Sequence, residues 1–314
     1  MQQPANQTQP LPSPNRADIS YGPHPRQTYD LWKPGEASAP VFVFIHGGGW
    51  TSGDKQKIPL SLLNNCLEAG IAVASVNYRY STTAPLPAPV QDAARAIQHL
   101  RHNAAQFGLD PGRLGTYGGS AGACSSLNLA LGPDFAEPAA EDPILRQSSR
   151  PACAGGSNGQ TAIDPCLLRE WLGDAILEHR MPNLAVGEPT AADMLRNYER
   201  HRETFRRFSP YCQVDPQTAV PIFLAYSARG GRALTLPATD GMVAIHHAQM
   251  GIKLKALMDS LNLECHLCVA GQNQTSYSDC LEFFKDKLLQ NRTAAAWWTP
   301  PVIQATTTPT KDQL

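Results

Sequence analysis

No stretch of this 314-residue chain holds the roughly 18 consecutive apolar residues that a membrane-spanning helix needs. Charge of one sign is lacking as well. Lys and Arg number 26 against 27 Asp and Glu, the formal net charge is -1, and no long run of basic residues occurs. Neither a nucleic acid nor an anionic membrane surface is therefore an expected partner. Charged residues make up only 17% and apolar ones 42%, which excludes a disordered or fibrous chain and supplies a sizeable core. The opening MQQPANQTQPLPSPNR has neither the basic nor the apolar segment of a secretory signal, so a cytoplasmic location is expected. The sequons at Asn6, Asn273 and Asn291 carry no meaning without secretion.

Metal-ligand spacing is missing too. Of eight cysteines, at 66, 124, 153, 166, 212, 265, 268 and 280, only Cys265 and Cys268 are close, as C-H-L-C inside an expected strand. A zinc site needs a second pair at comparable spacing, and residues three apart in a strand point to opposite faces. The cysteines read as buried free thiols, and no metal or organic cofactor is expected.

What is present alternates between strand and helix patterns. The apolar runs 41–45, 71–76, 114–117, 220–226 and 264–270 read as buried strands. Between them, 59–69, 90–107, 121–131, 243–260 and 277–289 read as helices. In 90–107 the apolar residues fall at 90, 93, 94, 97, 100, 104 and 107, one face of an amphipathic helix. The pattern predicts an α/β fold, a mostly parallel sheet with helices on both faces. Residues 1–20 read as a flexible arm, 21–298 as one domain with a partly helical cap over about 134–207, and 299–314 as a flexible tail.

Two motifs carry chemistry. Gly118-Gly-Ser120-Ala-Gly122 follows a strand and precedes a helix. A serine on such a turn needs small neighbours, and the turn aims unpaired helix N–H groups at developing negative charge. His46-Gly-Gly-Gly-Trp50 follows the 41–45 strand. Its glycines let the backbone turn its amides inward, so Gly48 and Gly49 with Ala121 can form an oxyanion site, each donor worth about 10²–10³ in rate.

With Asp54 and Val76-Asn-Tyr-Arg79, these motifs resemble the acetyl-esterase/lipase group of α/β-hydrolases, related to hormone-sensitive-lipase-like and feruloyl-esterase-like branches. The likeness is dense over about residues 20–130. It returns at Ser209-Pro210, in the 220–226 strand and in the final strand and helix. It implies the α/β-hydrolase fold, Ser120 as nucleophile, Gly48, Gly49 and Ala121 as oxyanion donors, a structural His46, and a small-molecule ester substrate.

The pattern then breaks. The fold's order is serine, acid, histidine, with the acid after the 220–226 strand and the histidine after the 264–270 strand. Asp240 is the one carboxylate in the first loop, either as triad acid or as a helix N-cap. After the last strand stands Ala270-Gly-Gln-Asn-Gln-Thr-Ser276, and no histidine follows His266. Glutamine cannot accept the serine proton near neutral pH. The substitutes are His246 and His247, either of which would make a non-standard base unit with Asp240, and of the two His247 is taken as catalytic. Against both stands their expected place at a helix start, which disfavours imidazolium. The plainer reading is one packed and one solvated histidine. Two functions follow: a serine carboxylesterase acting on short acyl or carbohydrate-linked esters through an acyl-enzyme, or a ligand-binding homologue that has lost turnover.

Overall fold

The computed structural model describes residues 10–35, 38–227, 234–270 and 272–290, with 272–274 by backbone alone. Nine strands form one sheet: β1 (Arg16–Ser20), β2 (Thr28–Trp32), β3 (Ala39–Ile45), β4 (Ala72–Val76), β5 (Leu109–Gly119), β6 (Cys153–Ser157), β7 (Ile222–Tyr226), β8 (Cys265–Val269) and β9 (Gln272–Gln274). Their order across the sheet is β1-β2-β4-β3-β5-β6-β7-β8-β9. From β4 through β8 all neighbours are parallel, while β1 and β2 at one edge and β9 at the other run antiparallel.

Strand alternation builds two cores. Val41, Val43 and Ile45 of β3 join one apolar layer, and Phe42 and Phe44 join the other with Phe283 and Phe284. Cys265 and Cys268 divide between the same two layers. The helices covering the sheet are α1 (Leu60–Glu68), α2 (Ala88–His102), α3 (Ala104–Phe107), α4 (Ala121–Leu131), α5 (Pro165–Leu172), α6 (Met181–Ala185), α7 (Ala191–Arg196), α8 (Tyr198–Arg207), α9 (Gly241–Ile245), α10 (Gln249–Ser260) and α11 (Cys280–Lys285).

Four expectations need correction. The arm drawn over residues 1–20 ends early, because β1 pairs with β2 and the Trp32 indole N–H donates to the Pro12 carbonyl at 2.8 Å. The cap drawn over 134–207 contains β6, a central strand made of Cys-Ala-Gly-Gly-Ser. It escapes a propensity reading because Gly156 must be bare: a Cβ there would stand 2.5 Å from the Ala123 methyl of α4. The helix expected over 243–260 is two helices, α9 and α10, broken at 246–248. Two cysteines expected inside, Cys166 and Cys212, are exposed, although all eight are free thiols. The tail 299–314 and the sequons at Asn6 and Asn291 lie outside the described residues.

The topology fixes where chemistry can occur. Chain order runs β3, β4, β5, but β3 lies between the other two, so the order reverses at β3. A crevice opens at the carboxyl ends of strands at such a reversal. Ile45 of β3 pairs in register with Gly118 of β5, which delivers the 46–50 loop and the 119–121 turn side by side.

Candidate active site

Ser120 sits on that turn with φ 52° and ψ −124°, a left-handed backbone conformation that costs a non-glycine residue energy. The neighbours hold it there. The Ser120 N–H donates to the Ser157 carbonyl at 2.9 Å, and a Cβ on Gly122 would collide with the Ile45 carbonyl oxygen. The elbow therefore needs both glycines of its motif for close backbone approach.

The glycine loop packs directly on the elbow. A Cβ on Gly47 would stand 2.7 Å from the Gly119 carbonyl oxygen. Gly48 and Gly49 have φ of +98° and +62°, and the buried Trp50 indole N–H donates to Ser125 Oγ of α4 at 2.9 Å. Among the described residues, no backbone hydrogen bond outside helices and strands is donated by the Gly48 or Gly49 amide. Ala121 is the first residue of α4, so helix geometry leaves its amide without an intrahelical acceptor.

His46 lies beneath this loop, buried, stacked on Tyr78 with ring centroids 4.2 Å apart. Its Nδ1 meets the Gly47 carbonyl at 2.8 Å and its Nε2 faces the Arg26 guanidinium at 3.3 Å. Arg26 must donate, so Nε2 accepts and Nδ1–H donates, which fixes a neutral ring. Burial, then the adjacent Arg26 charge, pushes this imidazole down to about 4.

The two substitute histidines part company. His246 Nε2 lies 3.0 Å from Ser120 Oγ, and its Nδ1 lies 3.2 Å from the Met242 carbonyl. His247 points elsewhere: its Nδ1 accepts from the Gln249 N–H at 3.0 Å and its Nε2 donates to the Thr235 carbonyl at 3.2 Å. The pairing of Asp240 with His247 as the base unit is thus corrected. His247 lies buried in the break between α9 and α10, where its ring holds the Gln249 amide, and burial lowers its affinity for a proton. Asp240 is the N-cap of α9, its Oδ1 accepting from the Val243 N–H at 2.9 Å.

The break also reverses an electrostatic expectation. His246 is the C-cap of α9, φ −119°, rather than an early residue of a long helix. A helix C-terminus favours imidazolium, though a helix this short contributes little. Where the fold's usual order would put a histidine, after β8, the backbone of β9 folds back on β8, with Val269 opposite Gln272 and Leu267 opposite Gln274.

Ser120 and His246 line two clefts. One, of about 630 Å³, has Gly48, Gly49, Glu178, His179, Met181 and Met242 in its walls. The segment 174–185 that supplies three of those residues carries no motif, so nothing in the sequence marks it. Glu178 accepts the Gly241 N–H at 3.1 Å, and the His179 ring stands 6.4 Å from the His246 ring. Burial, then the neighbouring His246, lowers the His179 imidazole. The other cleft, of about 510 Å³, is walled by Phe44, Leu62, Tyr117, Asn158 and Lys57. Among the described residues no group of three or more His, Cys, Asp or Glu is arranged to hold a metal ion, and no helix is long and apolar enough to cross a membrane.

Comparison with known proteins settles the architecture. A solved carbohydrate esterase from gut microbiota superposes with a TM-score of 0.68 over 87% of this chain and 96% of its own, at 18% identity. The chain has the α/β-hydrolase fold. The family model BD-FAE matches residues 29–150, the stretch that holds both motifs. Esterase LipQ of Mycobacterium tuberculosis is 35% identical over 43% of this α/β-hydrolase chain and 33% of its own length. Carboxylesterase NlhH of the same organism is 30% identical over 48% of each chain. This chain thus spans under half the length of these curated relatives. The resemblance carried by HGGGW and GGSAG is to the esterase branch of the fold.

Proposed function

We propose that the protein is a serine carboxylesterase that cleaves short acyl or carbohydrate-linked esters through an acyl-enzyme. The observation that carries this reading is the 3.0 Å contact between Ser120 Oγ and His246 Nε2 beside the glycine loop. With Nδ1–H donating to the Met242 carbonyl, Nε2 presents a lone pair to the serine hydroxyl. A distance within about 2.6–3.2 Å suits general-base transfer.

Ser120 Oγ attacks the ester carbonyl carbon as its proton passes to His246 Nε2. The amides of Gly48, Gly49 and Ala121 hold the oxyanion. As the tetrahedral adduct collapses, the C–O bond to the alcohol breaks and His246 returns the proton to the leaving oxygen. Water then repeats the cycle on the acyl-serine, with His246 again as base. The Met242 carbonyl accepts the Nδ1–H and so fixes the tautomer and direction of the imidazole, the orienting part that a carboxylate plays in the usual triad. The names of the matched esterases and of the carbohydrate esterase support the ester class.

The rival reading, a ligand-binding homologue without turnover, rested on the histidine missing after β8. His246 at the serine takes away its reason. The test is p-nitrophenyl acetate hydrolysis with fluorophosphonate labelling. Turnover and label both lost in Ser120→Ala support the enzyme, whereas turnover equal to that of the unaltered chain would overturn it.

A further inference from the structure

The two clefts that meet at Ser120 differ in charge. The cleft beside the glycine loop carries both Glu178 and Arg180. Among the described residues the other is lined by no carboxylate, and Lys57 is its one side chain of fixed charge. Its floor is apolar, with Phe44, Leu62 and Tyr117. A cation at the lip of a low-dielectric depression focuses its field into it.

Lys57 is distinct from its neighbour in the same turn. Lys55 is buried, and its ammonium is satisfied by Asp30 at 2.6 Å and Asp18 at 2.9 Å. Among the described residues the Lys57 ammonium has no ion-pair partner, and the side chain is exposed. Across the cleft, Asn158 sits at φ 47° with its amide held by the Ala225 carbonyl. Its Oδ1 accepts from both the Ser227 N–H at 2.9 Å and the Ser227 hydroxyl at 3.1 Å. With the oxygen occupied on that side, the planar carboxamide turns its NH₂ the other way. The residue thus offers the cleft donors and no acceptor.

We propose that this cleft binds a carboxylate carried by the ester substrate, with the Lys57 ammonium and the Asn158 carboxamide as its donors. The assignment rests on the ester-hydrolase reading of Ser120, which places the scissile carbonyl where the clefts meet. One arm of the substrate then lies along Phe44 and Leu62 and ends in the anion.

The experiment compares matched esters on the full chain. Mono-4-nitrophenyl adipate against 4-nitrophenyl hexanoate places the carboxylate on the acyl arm. 4-Acetoxybenzoate against methyl 4-acetoxybenzoate places it on the alcohol arm. In one of the two pairs the anionic-to-neutral ratio of kcat/KM should fall about three- to fivefold in Lys57→Ala, through KM, as a partly exposed ion pair allows. Lys57→Arg should restore it, and Asn158→Ala should lower it further. Lys253→Ala, which removes the same charge from α10 outside both clefts, should leave both ratios alone. Ratios independent of Lys57, or equally sensitive to Lys253, overturn the site while the esterase reading stands. Adipate binding to the Ser120→Ala chain, titrated with and without Lys57, reads the site without turnover. Lys57-dependent binding in a chain that hydrolyses no ester would sustain the site and strike the esterase reading instead.

Discussion

Ser120 Oγ and His246 Nε2 stand 3.0 Å apart across 126 residues of chain, and the histidine reaches the serine from the C-cap of α9. Its neighbour His247 faces the Thr235 carbonyl from a buried position. The pair therefore makes a sharp comparison. His246→Gln should cut kcat on p-nitrophenyl acetate by about 10³-fold or more, since a serine without its base retains only oxyanion and binding catalysis. His247→Gln should leave the fluorophosphonate labelling rate within a few-fold and cost roughly 1–2 kcal/mol of stability through its two partly buried hydrogen bonds. Equal kinetic losses in the two variants would sink the assignment.

Much of this site was legible in residue order. Glycines at 118 and 122 have no alternative under the Ile45 carbonyl, and a glycine loop after β3 announces amides turned inward. The same logic fails for β6, whose Gly155 and Gly156 are demanded by Tyr117 and Ala123 packing and not by strand propensity. It fails again at 246–248, because Ala244, Ile245 and Ala248 keep the apolar period running through the break. A single unbroken helix over 243–260 would have given both histidines another direction. Nor can a pattern of polar residues foresee that Gln-Asn-Gln pairs as an edge strand in place of a histidine loop.

The glycines of the two motifs are not equivalent. Gly122→Ala forces a methyl into the Ile45 carbonyl, so β3 and α4 must separate, with an expected loss of roughly 3 kcal/mol and most of the activity. Gly49→Ala meets nothing nearer than the Met181 side chain at 3.7 Å. Its cost is the strain of φ +62°, about 1–2 kcal/mol, with a kinetic effect through the amide it carries. Thermal melts of the two variants should fall in that order. The reverse order would show that backbone conformation, not contact, governs the loop.

Acid should unfold this protein earlier than its carboxylates alone would. His46 is held down to about 4 by burial, and His99 likewise by burial and then by the nearby His102 and Arg95 charges. Above about pH 6.5 such rings are neutral in both folded and unfolded chains, and nothing is lost. Between about 6.5 and 4 the unfolded chain takes up protons that the folded one refuses, so stability falls as pH falls. For the buried His46 this amounts to roughly 3 kcal/mol across the window. Urea midpoints at pH 7.5 and 5.0 measure it. His46→Gln should start lower at pH 7.5 and lose less on acidification. Identical losses in variant and parent would exclude His46 as the source.

Arg26 helps hold the 46–53 loop from below. Its Nη2 donates to the Gly53 carbonyl at 3.2 Å and to Asn77 Oδ1 at 3.3 Å, and its Nε donates to the Tyr78 carbonyl at 2.8 Å. The guanidinium lies 3.8 Å from the Tyr80 ring centroid and faces His46. It therefore ties both ends of the 46–53 loop to the strand end beyond β4. Under the proposed mechanism, loosening that loop misplaces the Gly48 and Gly49 amides, which would act on the transition state more than on bound ester. Arg26→Leu should lower kcat on the order of tenfold with KM little changed, short of the 10²–10³ that losing a donor outright would cost. Arg26→Lys keeps the charge but not the planar fork that serves several acceptors at once, so it should recover stability better than rate. A loss confined to KM, or a full kinetic rescue by lysine, would place Arg26 outside the support of the oxyanion site.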